Sequence, residues 1–408
     1  MVETLAGAVS VDAPASSAPV SPVRYNCIEG LRAVAALAVF FIHVSETRYS
    51  AGFGYHAIGV DRYVRAFFDE LQVGVPIFFA ISGFVIYRPF VTRHVGGQGE
   101  PSAASYITRR VLRIYPAYWV ALVGTVLVFS DLVTVRGPAH WFANLGLVQM
   151  YVPGATGHGF VFEGMVQAWT LTAEVTFYAT LPIFAYVVRR TARLHPLRGH
   201  WMGVIGVIVV GVAARMWLIF GTPPTWVTVL PIYLAFFGTG MALALVSIAV
   251  ARDPGARSRL VRCAEHPAWC VGVALLAFVI ATVTADITDG PVILLNATPI
   301  WEQLLRYFLQ WVMVAGLIVP AVLALHQGGR VRATLGSRVA VFMGSISYGF
   351  YLWHWAIIRW LAKHWFYASS GQTMLKVTLV GLPATIAIAY ASFRIVEKPL
   401  IKLSKRVR

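Results

Sequence analysis

His43 and Glu46 stand one helical turn apart at the end of LRAVAALAVFFIHVSE, and Arg32 stands near its start. Every residue between Arg32 and His43 is apolar. An ionisable group in such a setting is costly unless it is paired or wetted. An imidazole titrates near neutrality and can take the proton of an incoming hydroxyl, with Glu46 on the same face to orient it. The plainer alternative is a snorkelling arginine and a histidine satisfied by a neighbouring helix. Arg110 and Arg113, in TRRVLRIYPAYW, share one helical face, with Arg109 beside them. Guanidinium forks match phosphate oxygens, although basic clusters also anchor membrane helices. Glu174 in QAWTLTAEVTFY, and Tyr348 and His354 in MGSISYGFYLWHWAI, are further polar groups in apolar surroundings. Ser82 and Gly83, in GVPIFFAISGFVI, suit close helix packing or the passage of a slender ligand chain. Arg394 and Glu397, i and i+3 in SFRIVEKPL, read as a local ion pair. Cys27, Cys263 and Cys270 have no metal-ligand spacing and imply no disulfide framework, and no metal is expected.

The elements that hold these groups must be membrane helices. Of 408 residues, 58% are hydrophobic and only 12% are charged, against roughly 25% charged in a soluble chain. So much apolar area also excludes disorder, and neither a collagen period nor a sustained heptad is present. Apolar stretches fall near 28–46, 71–91, 112–132, 170–188, 201–219, 227–249, 269–287, 308–326, 340–358 and 374–394. Each is long enough to cross a bilayer as a helix, and an open strand could not. The fold class expected is therefore all-α, a polytopic integral membrane protein of about ten transmembrane helices. The stretch 141–152 is too short to cross and reads as interfacial or re-entrant. No internal repeat marks inverted transporter halves. One membrane domain over 24–400 is expected, between a disordered tail over 1–23 and a basic tail over 401–408.

The charge balance adds an orientation. Lys and Arg number 33 against 17 Asp and Glu, a net charge of +16. No nucleic-acid partner is expected, because basic residues of membrane proteins collect in inner loops. With the N-terminus inside, the ten-span map leaves 21 of the 33 basic residues in inner loops and 7 in outer ones. Both termini are then cytoplasmic. An eleven-span map with an outer N-terminus gives 20 against 8, so only the shortness of 141–152 and the cluster it would export favour ten. On the ten-span map His43, Glu46, Glu174 and His354 lie near the outer face. Arg32, Arg110, Arg113 and Arg338 lie near the inner one. One cavity joining the two depths would suit a long ligand, a phosphorylated carrier with its reactive end held deeper. Outer aromatics (Tyr49, Tyr55, Trp141, Tyr151, Trp169) suit either an interfacial belt or stacking on a sugar or macrocycle.

In order, IEGLRAVAALAVFFIHV, GVPIFFAISGFVIY, RRVLRIYPAYW, AWTLTAEVTFY and GSISYGFYLWH, followed by FRIVEKP, resemble the membrane acyltransferase 3 family over most of the chain. The resemblance implies a bacterial O-acyltransferase acting on surface glycans, lipid-linked sugars or macrolides. It implies a cytoplasmic acyl-coenzyme A donor, often acetyl, and an acceptor hydroxyl presented at the far face of the plasma membrane. It makes His43 the essential histidine, Arg32 its companion, and Arg110 and Arg113 the family's Arg-x-x-Arg pair. Glu174, Tyr348 and His354 match its later blocks. The catalytic set expected is thus His43, Glu174, Glu46, Tyr348 and His354, and the donor-binding set is Arg32, Arg110, Arg113, Arg338 and Ser82. Direct transfer and an acyl-histidine both fit these residues. There are departures. Glu29 stands where the family usually has Asp, Val175 replaces a second acid beside Glu174, and no fused hydrolase domain is expected at the C-terminus. Embedded His, Glu and Arg would also suit a proton-coupled secondary transporter or lipid-linked sugar exporter, the main alternative. A non-catalytic membrane scaffold is a third reading.

Overall fold

A computed structural model describes residues 26–49, 60–99, 102–132, 137–152, 161–221, 229–252, 259–285, 299–323, 329–365 and 371–406. The tail over 1–23 and Tyr55 lie outside these residues. The described residues form helices and no strand: α1 (Asn26–Tyr49), α2 (Val60–Glu70), α3 (Gly74–Val95), α4 (Ala103–Val128), α5 (Pro138–Leu145), α6 (Trp169–Thr191), α7 (Pro196–Phe220), α8 (Leu234–Arg252), α9 (Arg259–Glu265), α10 (Pro267–Thr284), α11 (Ile300–Val322), α12 (Arg330–Leu335), α13 (Arg338–His364), α14 (Gly371–Ser392) and α15 (Lys398–Ser404). Local chemistry sets several starts. Ser102 and Ser337 cap α4 and α13 by accepting from the amides of Ser105 and Ala340. Proline, which has no amide hydrogen to leave unsatisfied, opens α5, α7 and α10.

Nine helices among the described residues are long and apolar enough to cross a membrane. The expected crossing at 340–358 lies within α13, which has 27 residues but is not one of the nine. The reason lies in its position. α13 packs between α1 and α14, and every residue from Gly349 to Ile358 is buried. A helix surrounded by protein need not present an apolar face to lipid, so it can carry serines, tyrosines and a histidine. The protein is an all-α polytopic membrane protein. The stretch 141–152 does not make a crossing helix: it holds the last turns of the eight-residue α5 and the chain that follows. Hydrogen bonds from Tyr115, Tyr118 and Trp119 to its carbonyls hold it against α4.

Two seams position the site, and glycine makes both. A Cβ on Gly83 would overlap the Phe237 carbonyl, and one on Gly240 would overlap that of Ala80, so α3 and α8 meet backbone to backbone. Gly344 stands in the same relation to the Glu29 carbonyl, which brings α13 onto α1. Gly83 thus serves packing, while its neighbour Ser82 faces the other way, into a cavity. Ion pairs tie α2 to α11: Arg306 holds the fully buried Glu70 at 2.6 Å.

Candidate active site

Side chains of α1, α3, α4, α6 and α13 enclose a cavity of about 160 Å³. Arg32, Ser82, Arg110, Arg113, Glu174 and Tyr348 are among its walls. Arg32 comes from the second turn of α1, and its Nε donates to Ser347 Oγ at 3.2 Å, across the seam that Gly344 closes. Arg110 and Arg113 come from one face of α4. The Arg110 guanidinium lies 5.6 Å from the Tyr106 ring and 5.8 Å from the Tyr178 ring. Glu174 is held in place: Ser82 donates to its Oε1 at 2.5 Å, and the Tyr178 hydroxyl donates to the same oxygen. Glu174 is within electrostatic reach of both Arg32 and Arg110. Three guanidinia gathered in one cavity can hold phosphate oxygens, and the carboxylate beside them limits their mutual repulsion.

A second cluster lies further along the same two helices. His43 is eleven residues beyond Arg32 on α1, about 17 Å of helical rise. Its ring stacks on His354 of α13 at 5.2 Å and meets the edge of Trp355 at 4.6 Å. Glu46 Oε1 is 3.4 Å from His43 Nδ1. His354 is fully buried, and its Nδ1 lies 2.7 Å from the Tyr351 carbonyl. In the neutral ring, donation from Nδ1 to that carbonyl makes Nε2 the acceptor nitrogen. The Tyr351 ring lies 5.5 Å from His354 and is also a wall of the arginine cavity, so Tyr351 stands between the two clusters. Its hydroxyl bonds Thr170 Oγ1 at 2.7 Å and the Gln167 carbonyl at 3.1 Å.

This arrangement corrects several expectations. The polar groups do not share one cavity: His43, Glu46, His354 and Arg338 are outside the walls that hold the arginines. Glu174 joins the arginines rather than the histidines. The crossing segment begins at Glu163, with a 3-10 turn ahead of α6, which puts Glu174 eleven residues inside rather than near its outer end. Arg338 is the first residue of α13 and is exposed. The Tyr348 hydroxyl already donates to the Ile114 carbonyl at 2.8 Å, which occupies the proton it would lend an oxyanion. Arg394 and Glu397 do not pair as i and i+3. Phe393–Glu397 is a π-helical segment, so its wider turn sends Glu397 inward, within electrostatic reach of Arg32 and Arg113. Arg394 stays exposed over the Tyr390 ring at 5.9 Å. Of the outer aromatics, Trp141 packs on Phe162, Trp169 on Tyr233, and Tyr151 bonds Thr176.

Glu29, Thr170, Tyr178 and Tyr351 also line the cavity, and sequence reasoning gave none of them a role in a site. Two carry a readable signal: Tyr178 is i+4 from Glu174, and Glu29 is i−3 from Arg32. Among the described residues no group of His, Cys, Asp and Glu could hold a metal ion.

The comparisons give this bundle, with its two polar centres on one helix pair, the class of a membrane acyltransferase. The model of the acyltransferase 3 family, described as an acyltransferase domain, matches residues 25–394. The chain belongs to this family and is an acyltransferase. It is 26% identical to the acyltransferase MdmB of Streptomyces mycarofaciens over 96% of this chain and 95% of that one. It is 27% identical to the exopolysaccharide production protein ExoZ of Rhizobium meliloti (strain 1021), over 82% of this chain and 91% of that one. A Staphylococcus aureus (strain COL) protein classed by name among the O-acetyltransferases, SACOL0978, is 24% identical over 92% of this chain, which spans 57% of its length. No solved structure matches.

Proposed function

We propose that this acyltransferase moves an acyl group, acetyl, from acyl-coenzyme A to a hydroxyl of a sugar, glycolipid, cell-surface polysaccharide or macrolide-like acceptor. Its place is the plasma membrane, with both termini cytoplasmic, a reading supported by the 21 to 7 division of basic residues. The observation that carries the proposal is the spacing of the two centres. Arg32, Arg110 and Arg113 gather at one level of the α1–α13 seam, and His43 with His354 stands about 17 Å along it. The arginines hold the phosphates of the donor. Ser82 and Tyr178 fix Glu174, and Glu174 positions Arg32 and Arg110. For the thioester to reach His43, Tyr351 swings aside.

His43 then takes the proton of the acceptor hydroxyl, oriented by Glu46 and by the stack on His354. The acceptor oxygen attacks the thioester carbonyl carbon, the carbon–sulfur bond breaks, and the departing thiolate regains a proton. The products are an ester and free coenzyme A. A glycan acceptor is supported by the name of ExoZ, and an acetyl donor by that of the Staphylococcus aureus relative. The test is incubation of the purified, detergent-solubilised protein with radiolabelled acetyl-coenzyme A and a panel of hydroxyl-bearing acceptors. Label should appear in an acceptor as an ester. Label left wholly in the donor, with every acceptor class tried, would remove this reading.

A further inference from the structure

A second cavity, of about 670 Å³, opens at another place, where the ends of α3 and α6 meet the start of α7. Among the described residues its walls include His94, Tyr186, Arg189, Arg190 and Arg193, and no carboxylate. It lies on the face from which α4 starts, because only residues 96–102 join α3 to α4. Arginines near a helix C-terminus interact favourably with its carbonyls, and basic residues gather at one membrane face for topology alone. Neither role requires a cavity or held side chains, and here the arginines line a cavity and two of them are held. Arg190 Nε donates to the Tyr186 hydroxyl at 3.0 Å, and its guanidinium lies over that ring at 5.2 Å. Arg189 is tied to the Gln98 carbonyl at 3.0 Å.

The histidine in the wall is also built in. His94 Nδ1 is 2.9 Å from Nε2 of His200, and His200 Nδ1 is 2.6 Å from the Tyr87 hydroxyl. Tyr87 and His200 are 0% and 1% exposed, so this chain of three is anchored inside the bundle. When Tyr87 donates to His200 and His200 to His94, the remaining proton of His94 sits on Nε2. His94 is then a donor, like the arginines around it.

We propose that this cavity is an anion site for a phosphate ester, separate from the cavity of Arg32, Arg110 and Arg113. Basic pockets between membrane helices take phosphorylated headgroups, and guanidinium forks fit phosphate oxygens from either a lipid or a soluble nucleotide. The site does not depend on the acyl-transfer reading, and binding can be measured without turnover.

The test compares the full-length protein with R190A/R193A. One arm titrates adenosine 3′,5′-bisphosphate into protein in neutral detergent. The other measures retention of phosphatidylglycerol against phosphatidylcholine in nanodiscs. The double variant should weaken one of the two at least tenfold, and the arm affected names the source. His94→Gln, which keeps every arginine, should weaken the same probe about threefold. Should the double variant fail to assemble, R193A, at an exposed position beyond α6, carries the same comparison. Wild-type affinity for both probes in the arginine variants overturns the proposal and leaves these arginines to topology alone. Ester formation can persist in that case, so the two readings fail separately.

Discussion

The two polar centres share the helix pair α1 and α13, yet they are built on opposite principles. At the Arg32 end the backbones touch at Gly344, and among apolar walls the cavity around Arg32 gathers charged and hydroxylated side chains: Glu29, Arg113, Glu174, Ser82, Ser347. At the His43 end the neighbours are rings: His354, Trp355, and Phe350 stacked parallel to His354 at 6.3 Å. A mixed-charge cavity is suited to holding an anion, because its cations are already arranged and partly neutralised. An aromatic setting is suited to moving one proton, because an imidazole there has few competing hydrogen-bond partners. The difference supports the division of labour proposed above, in which one end of the seam holds the donor and the other does the chemistry.

That division is most sharply tested at its two poles. His43→Ala should lower acyl transfer by about 10²–10⁴-fold, the range for loss of a general base, while donor affinity stays within twofold. Turnover near the wild-type rate would break the comparison at its catalytic pole. Arg113→Ala should do the reverse, weakening donor binding about 10–100-fold, as expected for one charged hydrogen-bonding group. The measurement is a donor titration beside a saturated-rate assay. A fall in saturated rate with unchanged donor affinity would place Arg113 with the chemistry instead.

How far the sequence foretold these poles depends on what each residue needed. His43, His354 and Arg32 stand out in the sequence because each interrupts an apolar run, and helical spacing alone pairs Arg110 with Arg113. The seam itself was not legible, since nothing in one sequence says that α1 lies on α13. Glu174 was assigned to the wrong pole because hydropathy began its crossing at 170, whereas the 3-10 turn Glu163–Ala168 starts it earlier. Glu397 was paired with Arg394 because α-helical spacing was assumed, and one π-helical turn undoes that pairing. The pair of Arg306 and Glu70 between α2 and α11, beside the i,i+4 pair Arg65 and Asp69 (3.7 Å) within α2, required the tertiary structure to see. Nine of the ten expected spans fall on helices long and apolar enough to cross a membrane, and the tenth falls within α13, whose polarity goes with its being enclosed.

Smaller changes sharpen the comparison. Gly344→Ala puts a methyl group into the Glu29 carbonyl on the shared seam. It should cost about 1–3 kcal/mol of stability and lower both donor affinity and rate, because both centres hang on the same pair. Thermal unfolding beside the two assays checks this, and a loss confined to one assay would show that the centres are independent. Ser82→Ala removes one of two hydroxyls that hold Glu174, and Tyr178 remains. It should weaken the donor only a fewfold, with the rate at saturation unchanged.

The smallest effect belongs to a site outside both centres. Asp131 follows α4, and Lys363 Nζ lies 2.9 Å and His364 Nε2 3.2 Å from its Oδ2. The hydrogen bond from Lys363 holds the Asp131 carboxyl below its usual range. A carboxylate lowered in the folded state adds stability that is present above its ordinary titration range and lost as pH falls through the folded value. The pair is exposed to water, so the gain is screened and comparable to other surface ion pairs, a few tenths of a kcal/mol. Asp131→Asn should therefore leave donor affinity and rate unchanged and shift unfolding slightly at neutral pH, with no shift in acid. A large loss of transfer in Asp131→Asn would mean that the end of α13 beyond His354 is coupled to the chemistry, and the division between a binding pole and a catalytic pole would have to be extended to a third.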